Sequence, residues 1–330
     1  MRSCFDGKKY GFFFHFLNNG DPALPEEARG QEHPMPPEMW ERYVAGFDVE
    51  KIAGQLAEIN AGYAFLTTGQ NSGYYCTPSR VYDREVGKGF CSQRDLIADF
   101  ADALARHGID AGAYVTTLAP GKPHEIIRKL HCTPAWPAKE WELQYNDLDS
   151  PGKNDPRLEH FQTIWNEMQQ EWSLRWGKKI KAWWCDGAYY SEYMYDFPDG
   201  INGHTRCRAL RAGNPDAAVA LNGGVDNPPH RNYPDSDEDY LAGEINEPQE
   251  LVFPTDPRDT ALKLHILTYA GTDWGTAPLR FTGREMAEIT RRILDHGGVT
   301  TWDLPFTSQG IADDVMDVLR DFKREFEKNN

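Results

Sequence analysis

The sequence lacks the signatures of several common protein classes. No stretch approaches the roughly 20 apolar residues of a membrane-spanning helix, and the first residues hold no apolar core of a secretory signal peptide. The six cysteines include no Cys-x-x-Cys pair, so neither a zinc pattern nor a disulfide scaffold is visible. No Gly-x-Gly-x-x-Gly follows the first predicted strand. We therefore expect a cytoplasmic protein without a metal or other cofactor.

Positive charge is also scarce, since 35 Lys and Arg face 51 Asp and Glu, for a net charge of -16. Nucleic acids and anionic membranes attract basic surfaces, so neither is expected as a partner. Aromatic residues, by contrast, are plentiful, with ten Trp, fifteen Tyr and sixteen Phe. Aromatic rings stack on sugar faces but also fill cores, so this composition leaves both interpretations open. The oligomeric state also stays open.

Strand-like and helical segments alternate along the whole chain. Apolar runs predict strands at 9–16, 63–68, 111–116, 180–185, 217–221, 239–244 and 299–304. Helical spacing and caps predict helices at 48–59, 92–104, 158–176, 205–212, 260–269, 282–295 and 311–327. Such alternation is typical of parallel α/β proteins, and about eight units favour a barrel. No composition break or internal repeat appears, so residues 1–330 are predicted to form one (β/α)8 TIM-like barrel domain.

One carboxylate follows the apolar run 180–185. Catalytic residues of such barrels lie at the C-terminal ends of strands, so Asp186 is predicted at the barrel mouth. Trp184 and Tyr189 would border it, and strand alternation would turn either Trp183 or Trp184 toward the helices. A carboxylate among aromatic rings suits attack on the anomeric carbon of a sugar, or stabilisation of its positive charge. The alternative, an Asp that only caps a turn after the strand, stays open.

Several motifs occur in an order typical of one enzyme family. Residues 9–16 read Lys-Tyr-Gly-Phe-Phe-Phe-His-Phe, residues 67–74 read Thr-Thr-Gly-Gln-Asn-Ser-Gly-Tyr, and residues 184–187 read Trp-Cys-Asp-Gly. They resemble the segments Lys-Phe-Gly-x-Phe-x-His-Trp, Lys-His-His-Asp-Gly-Phe and Trp-Phe-Asp-Gly of glycoside hydrolase family 29, the α-L-fucosidases. The resemblance runs along nearly the whole barrel. It implies an exo-acting, cofactor-independent hydrolase of a carbohydrate substrate, with Asp186 as the nucleophile.

The chain also departs from this family. Gln70 and Asn71 stand where the family has paired histidines that grip fucose hydroxyls. Amides also bond hydroxyls, but with a different reach and donor geometry. The sequence offers no residues for the family's C-terminal β-sandwich, so a barrel without it is expected. These differences leave three alternatives open: a different glycoside (an α-galactoside, rhamnoside or arabinoside), a carbohydrate lyase, or a sugar-binding barrel without activity.

A glycoside hydrolase of this kind needs a second carboxyl group. Glu244 ends a predicted strand and is the favoured acid/base, and Glu247 is the next candidate. A retaining mechanism is expected, which requires the two carboxyls to lie about 5–5.5 Å apart, against roughly 6.5–9.5 Å for inversion. The alternative is that both glutamates belong to the solvated acidic surface.

Substrate contacts are expected from side chains at the strand ends. A donor such as His15, an amide or a tyrosine hydroxyl should also keep Asp186 ionised. Strand histidines can instead be core residues, and the polar pair after the second strand can instead form a turn. The predicted substrate-binding residues are His15, Gln70, Asn71, Tyr114, Trp184, Tyr189 and Trp302.

Overall fold

The computed structural model describes residues 5–20, 30, 33–117, 126, 129–130, 156–188, 200–231 and 237–328. Strands β1 to β8 span Tyr10–Phe14, Tyr63–Thr67, Asp110–Thr116, Ile180–Asp186, Ala218–Leu221, Tyr240–Glu244, Lys263–Tyr269 and Val299–Asp303. Helices α1 to α9 span Pro37–Ala45, Val49–Glu58, Arg80–Glu85, Leu96–Ala105, Pro156–Trp176, Gly203–Arg211, Pro257–Thr260, Gly283–Asp295 and Asp313–Glu327. Within these ranges no helix is long and apolar enough to cross a membrane.

The eight strands form one parallel sheet that curls into a barrel. Strand β1 pairs with β2 on one side and with β8 on the other, and the strand order is β5-β4-β3-β2-β1-β8-β7-β6. The two end strands meet where the amide of Asp239 donates to the carbonyl of Val219 at 2.8 Å. The prediction of a (β/α)8 TIM-like barrel is therefore confirmed.

Side chains alternate between the barrel interior and the layer under the helices. In β4, Trp184 belongs to the inner cluster, whereas Trp183 belongs to the outer cluster and stacks on Trp176 at 5.6 Å. The inner cluster also holds Phe13, Phe65 and other side chains from alternate strand positions. These side chains fill the barrel interior, so a ligand can bind only at an end of the barrel.

Two helices begin as predicted, whereas the helix predicted over residues 92–104 begins later, at Leu96. The side chain of Asp48 accepts a hydrogen bond from the amide of Lys51 at 3.0 Å and begins α2. Thr282 and Glu285 form a reciprocal capping box at the start of α8. Each cap satisfies amides that the first helical turn leaves without an intrahelical partner.

The helix predicted over residues 260–269 is wrong, because Lys263–Tyr269 form strand β7. Leu264 and Ile266 pack outward under the helices, while Leu267 packs inside the barrel. Because β7 is buried on both faces, its polar residues Lys263, His265 and Thr268 follow no sustained alternation with the apolar ones that would mark a strand.

Candidate active site

The carboxyl ends of the strands surround a cavity of about 240 Å³. Asp186 ends β4 and Glu244 ends β6, so two carboxyls reach the cavity from strands on either side of β5. This end of the barrel is where enzymes of this architecture carry out their chemistry. The described lining combines polar and apolar side chains: His15, Leu17, Asn19, Gln70, Tyr114, Trp184, Asp186, Glu244, Leu267 and Trp274.

Asp186 is held by two hydrogen-bond donors. The hydroxyl of Tyr114 donates to its Oδ2 at 2.6 Å, and Nδ2 of Asn222 donates to its Oδ1 at 2.8 Å. Nε2 of Gln70 donates to the Tyr114 hydroxyl at 2.8 Å, so the proton of that hydroxyl is left to point at Asp186. Both oxygens of the carboxyl are therefore fixed in position. The expected tyrosine and amide donors are thus present.

A single amide group joins the two carboxyls. Nδ2 of Asn222 also donates to Oε2 of Glu244 at 2.6 Å. The other atom of this amide, Oδ1, accepts from the backbone amide of Gly224 at 3.2 Å, which fixes the orientation of the side chain. Asn222 directly follows β5, the strand between the two that carry the carboxyls, so the backbone aims the amide at both.

The environment separates the two carboxyls chemically. Burial, and next the negative charge of Asp186, raise the pKa of Glu244 from 4.5 to about 7, against the opposing effects of Asn222 and His15. A carboxyl with such a pKa can both give and take a proton near neutral pH. The environment of Glu244 therefore suits a group that acts as an acid and then as a base.

The opposite wall of the cavity is built on His15. Its Nδ1 lies 2.8 Å from Oδ1 of Asp303, a fully buried carboxylate that ends β8. Burial lowers the pKa of His15, but the charge and hydrogen bond of Asp303, with the charges of Glu244 and Asp186, leave it raised. His15 can therefore present a donor to a ligand in the cavity.

Two indole rings add apolar walls. Trp184 lines the cavity from the barrel interior, and Trp274 lines it from the loop after β7. The Trp274 ring lies 5.5 Å from His15 and 5.0 Å from Tyr269, centroid to centroid. Polar groups that converge between aromatic faces are typical of a sugar site, because sugars expose both hydroxyls and apolar C–H faces.

The structure thus brings together six of the predicted residues. Asp186, Glu244, His15, Gln70, Tyr114 and Trp184 all line the same cavity. Among the residues that the structure describes, no group of three or more His, Cys, Asp or Glu could hold a metal ion. Tyr189 lies outside the described residues.

Three predicted residues lie away from the cavity. Glu247 is an exposed partner of Arg280, with Oε1 2.9 Å from Nη1, and Asn71 is exposed in a turn. Trp302 requires a correction: its indole packs in the outer cluster and donates to Oγ1 of Thr290 at 3.1 Å. Strand alternation sends Trp302 outward because Asp303, the next residue, points inward to His15.

The sequence-based prediction missed Asn222, which bonds both carboxyls, and four residues of the described lining: Leu17, Asn19, Leu267 and Trp274. Asn222 was visible as the polar residue directly after the apolar strand Ala218–Leu221, the same signal that identified Asp186. Trp274 carries no comparable signal, because its approach to His15 depends on the path of the loop between β7 and α8.

Comparisons with known proteins agree with this geometry. A sequence model of the alpha-L-fucosidase family matches residues 37–251, the part that contains Asp186, Asn222 and Glu244. Among curated proteins, none matches the chain in sequence. The family match covers more than half of the chain and both candidate catalytic carboxyls.

Solved structures share the fold at low identity. A variant of the alpha-L-fucosidase AlfC, in complex with Fuca(1,6)GlcNAc, gives a TM-score of 0.66 at 15% identity over 99% of this chain and 98% of that one. A trapped covalent intermediate of a family 29 alpha-L-fucosidase from Bacteroides thetaiotaomicron gives 0.61 at 14% identity, over 98% and 74%.

A family 107 endo-fucoidan hydrolase gives a TM-score of 0.65 at 14% identity, over 97% of this chain and 53% of that one. The chain therefore spans about half the length of that hydrolase. At these identities the solved structures establish the barrel fold, and the family match adds the assignment. The chain belongs to the alpha-L-fucosidase family of glycoside hydrolases.

Proposed function

We propose that the chain is an exo-acting, α-L-fucosidase-like hydrolase that retains the anomeric configuration, with Asp186 as nucleophile and Glu244 as acid/base. One observation carries this proposal: the same nitrogen of Asn222 bonds an oxygen of each carboxyl, at 2.8 and 2.6 Å. The two oxygens cannot be further apart than these distances taken together. That limit agrees with the roughly 5–5.5 Å of retaining enzymes and falls short of the roughly 6.5–9.5 Å of inverting ones.

The size of the cavity supports an exo mode of action. Its 240 Å³ are less than the roughly 300–1,000 Å³ of sites for drug-sized ligands, and suit a single terminal sugar ring. The ring would lie between Trp184 and Trp274, with its anomeric carbon toward Asp186 and its hydroxyls toward His15.

In the first step, Asp186 attacks the anomeric carbon and the bond to the leaving group breaks. Glu244 gives its proton to the departing glycosidic oxygen, which requires the protonated form that its raised pKa of about 7 makes available. Tyr114 and Asn222 hold the attacking carboxylate in place while positive charge develops on the sugar.

In the second step, water replaces the ester bond between Asp186 and the sugar. Esterification removes the negative charge of Asp186, which is one of the causes of the raised pKa of Glu244. Glu244 is then favoured as the carboxylate, and it takes a proton from the attacking water. Two inversions at the same carbon give net retention.

Substitution of the nucleophile tests the proposal. Asp186→Gly should lower kcat/KM on an aryl α-L-fucoside by at least about 10³-fold, because the covalent route is lost. Azide should restore turnover with inverted stereochemistry, since a small anion can occupy the space of the lost carboxylate. Glu247→Gln is the matched control, because this exposed acid lies outside the cavity, and its rate should equal wild type. Near-normal turnover by Asp186→Gly would refute the assignment.

The departure at Gln70 favours a second candidate, a retaining hydrolase of a different terminal sugar. Gln70 bonds Tyr114, so this amide serves Tyr114 and Asp186 as well as any ligand. A panel of aryl α-galactoside, rhamnoside and arabinoside separates the two candidates. Preference for one of these over the fucoside would keep the mechanism and change the substrate. Sugar binding without turnover on any of them would favour a binding protein.

A further inference from the structure

Asp303 is a buried carboxylate behind the cavity wall. Its side chain is fully buried, and it ends β8 with both oxygens engaged. Oδ1 lies 2.8 Å from Nδ1 of His15, and Oδ2 accepts a hydrogen bond from the backbone amide of Gly275 at 2.5 Å. Both partners belong to segments that line the cavity, yet Asp303 is not part of the described lining.

We propose that Asp303 is a positioning residue that seats two walls of the sugar cavity at once, the imidazole of His15 and the turn that carries Trp274. This inference rests on the proposed function for the nature of the ligand. Asp303 would act through His15 and Gly275 and would not itself contact the reacting atoms.

The bond to His15 fixes the imidazole ring. A carboxylate only accepts hydrogen bonds, so Nδ1 of His15 must be the donor, and Nε2 is the nitrogen left for a ligand. The ring is also packed against Phe13 at 4.6 Å and Trp274 at 5.5 Å, so it has little room to rotate. His15 therefore meets the sugar in one orientation.

The bond to Gly275 fixes the turn. Gly275 has a φ of +66°, a left-handed conformation that favours glycine, and its amide points back to Asp303. Its neighbour Trp274 is thereby held beside His15, and a Cβ built on Gly275 would lie 3.4 Å from Cβ of His15. One carboxylate thus sets the distance between the imidazole and the indole.

The charge of Asp303 matters as well as its shape. The groups that act on His15 are Asp303 from β8, Glu244 from β6 and Asp186 from β4. Burial lowers the pKa of His15, and Asp303 is the first of the groups that raise it. Replacing Asp303 by a neutral isostere should therefore lower that pKa while changing the volume little.

The test uses Asp303→Asn in the full chain, with two measurements that need no turnover. The titration of His15, followed by NMR, should move to lower pH, because the largest of the charges that raise its pKa is lost. The affinity for L-fucose should fall at least tenfold. The KM for the aryl fucoside should rise more than kcat falls, because the reacting carboxyls are untouched.

Asp110→Asn is the matched control. Asp110 begins β3 at the opposite end of the barrel and pairs with Lys8 at 3.3 Å, so neither the His15 titration nor L-fucose affinity should change. Unchanged titration or unchanged affinity in Asp303→Asn would overturn the proposal. If wild type does not bind L-fucose, the substrate assignment fails, and the His15 titration alone still decides the role of Asp303.

Asp303→Glu provides a second variant in case the amide prevents folding. The longer side chain keeps the charge, so the His15 titration should stay near wild type. It must displace the imidazole or the turn, however, so the affinity for L-fucose should still fall at least tenfold. Wild-type affinity in Asp303→Glu would refute a positioning role.

Discussion

At the scale of single residues, Asn222 determines how two acids share one small cavity. A cation in its position would stabilise both negative charges, which would lower the pKa of Glu244 along with that of its neighbour. The neutral amide instead bonds each carboxyl once and leaves the mutual repulsion in place. The charge of Asp186 therefore still contributes to the raised pKa of Glu244.

Glu244→Gln should remove the alkaline limb of the pH profile. In the proposed mechanism Glu244 donates a proton, so wild-type kcat/KM should fall as pH rises through about 7, where Glu244 loses that proton. The glutamine variant has no such proton, so its profile should be flat there and its rate lower by about 10²–10⁴-fold on a poor leaving group. An aryl fucoside with a strongly acidic phenol should be affected much less.

Glu247→Gln should keep both the alkaline limb of the pH profile and the wild-type kcat/KM, since the Glu247 carboxyl is exposed and bonded to Arg280. An alkaline limb that survives in Glu244→Gln would assign the acid/base role to another group.

The sequence predicted the carboxyls of the site better than its aromatic walls. Asp186 and Glu244 are acids directly after apolar strands, a signal that depends only on local order. The error at Trp302 arose because neighbouring strand-end residues face opposite ways, and the apolar strand Val299–Asp303 does not reveal which one faces inward. Only tertiary contacts explain the inward Asp303, since a buried carboxylate requires partners such as His15.

At the scale of elements, the error at β7 has a similar origin. Strand Lys263–Tyr269 is buried on both faces, so no sustained period of two distinguishes its sequence from that of a helix. The short helix Pro257–Thr260 before β7 was also not predicted, whereas elements with a clear cap, such as α2 after Asp48, were.

The contact between α8 and α9 depends on a glycine that no local pattern explains. A Cβ on Gly283 would lie 2.4 Å from the backbone nitrogen of Phe322, so the two helices approach too closely for a side chain. Gly283→Ala should lower the free energy of unfolding by roughly 1–3 kcal/mol, because the helices must move apart. Thermal and urea unfolding would measure this change.

Gly54→Ala is the opposite case, in the interior of α2. A Cβ there meets nothing within 4 Å, so alanine should raise the free energy of unfolding by about 0.5–1 kcal/mol through its higher helix propensity. Equal effects of the two substitutions would show that the close approach of α8 and α9 has no energetic consequence.

At the scale of the whole molecule, the site lies where the barrel closes. Strands β5 and β6 meet through side chains as well as backbone, since Glu238 accepts from the amide of Leu221 at 2.8 Å and Asp239 from that of Val219 at 2.9 Å. Asn222 follows β5 and Glu244 ends β6, so their hydrogen bond continues this closure at the mouth. The hydrogen bonds that hold the two acids of the site thus adjoin those that close the barrel.

A buried histidine should govern the acid stability of the whole barrel. His265 lies inside the barrel with Nε2 2.5 Å from Oγ1 of Thr301, and burial lowers its pKa from 6.5 to about 3. Below pH 6.5 His265 binds a proton in the unfolded chain but not in the folded one. The free energy of unfolding therefore decreases as the pH falls from 6.5 to about 3. The loss approaches about 1.4 kcal/mol per pH unit.

His265→Leu should therefore become relatively more stable as pH falls. The free energy of unfolding would be measured by urea denaturation followed by tryptophan fluorescence. The difference between the variant and wild type should shift in favour of the variant by about 2–3 kcal/mol between pH 7 and pH 4.5. Carboxylates titrate alike in both proteins, so their contributions cancel in the difference. His107→Leu is the control, because this exposed histidine should leave the difference independent of pH. Parallel curves for His265→Leu and wild type would mean that His265 is protonated inside the folded barrel.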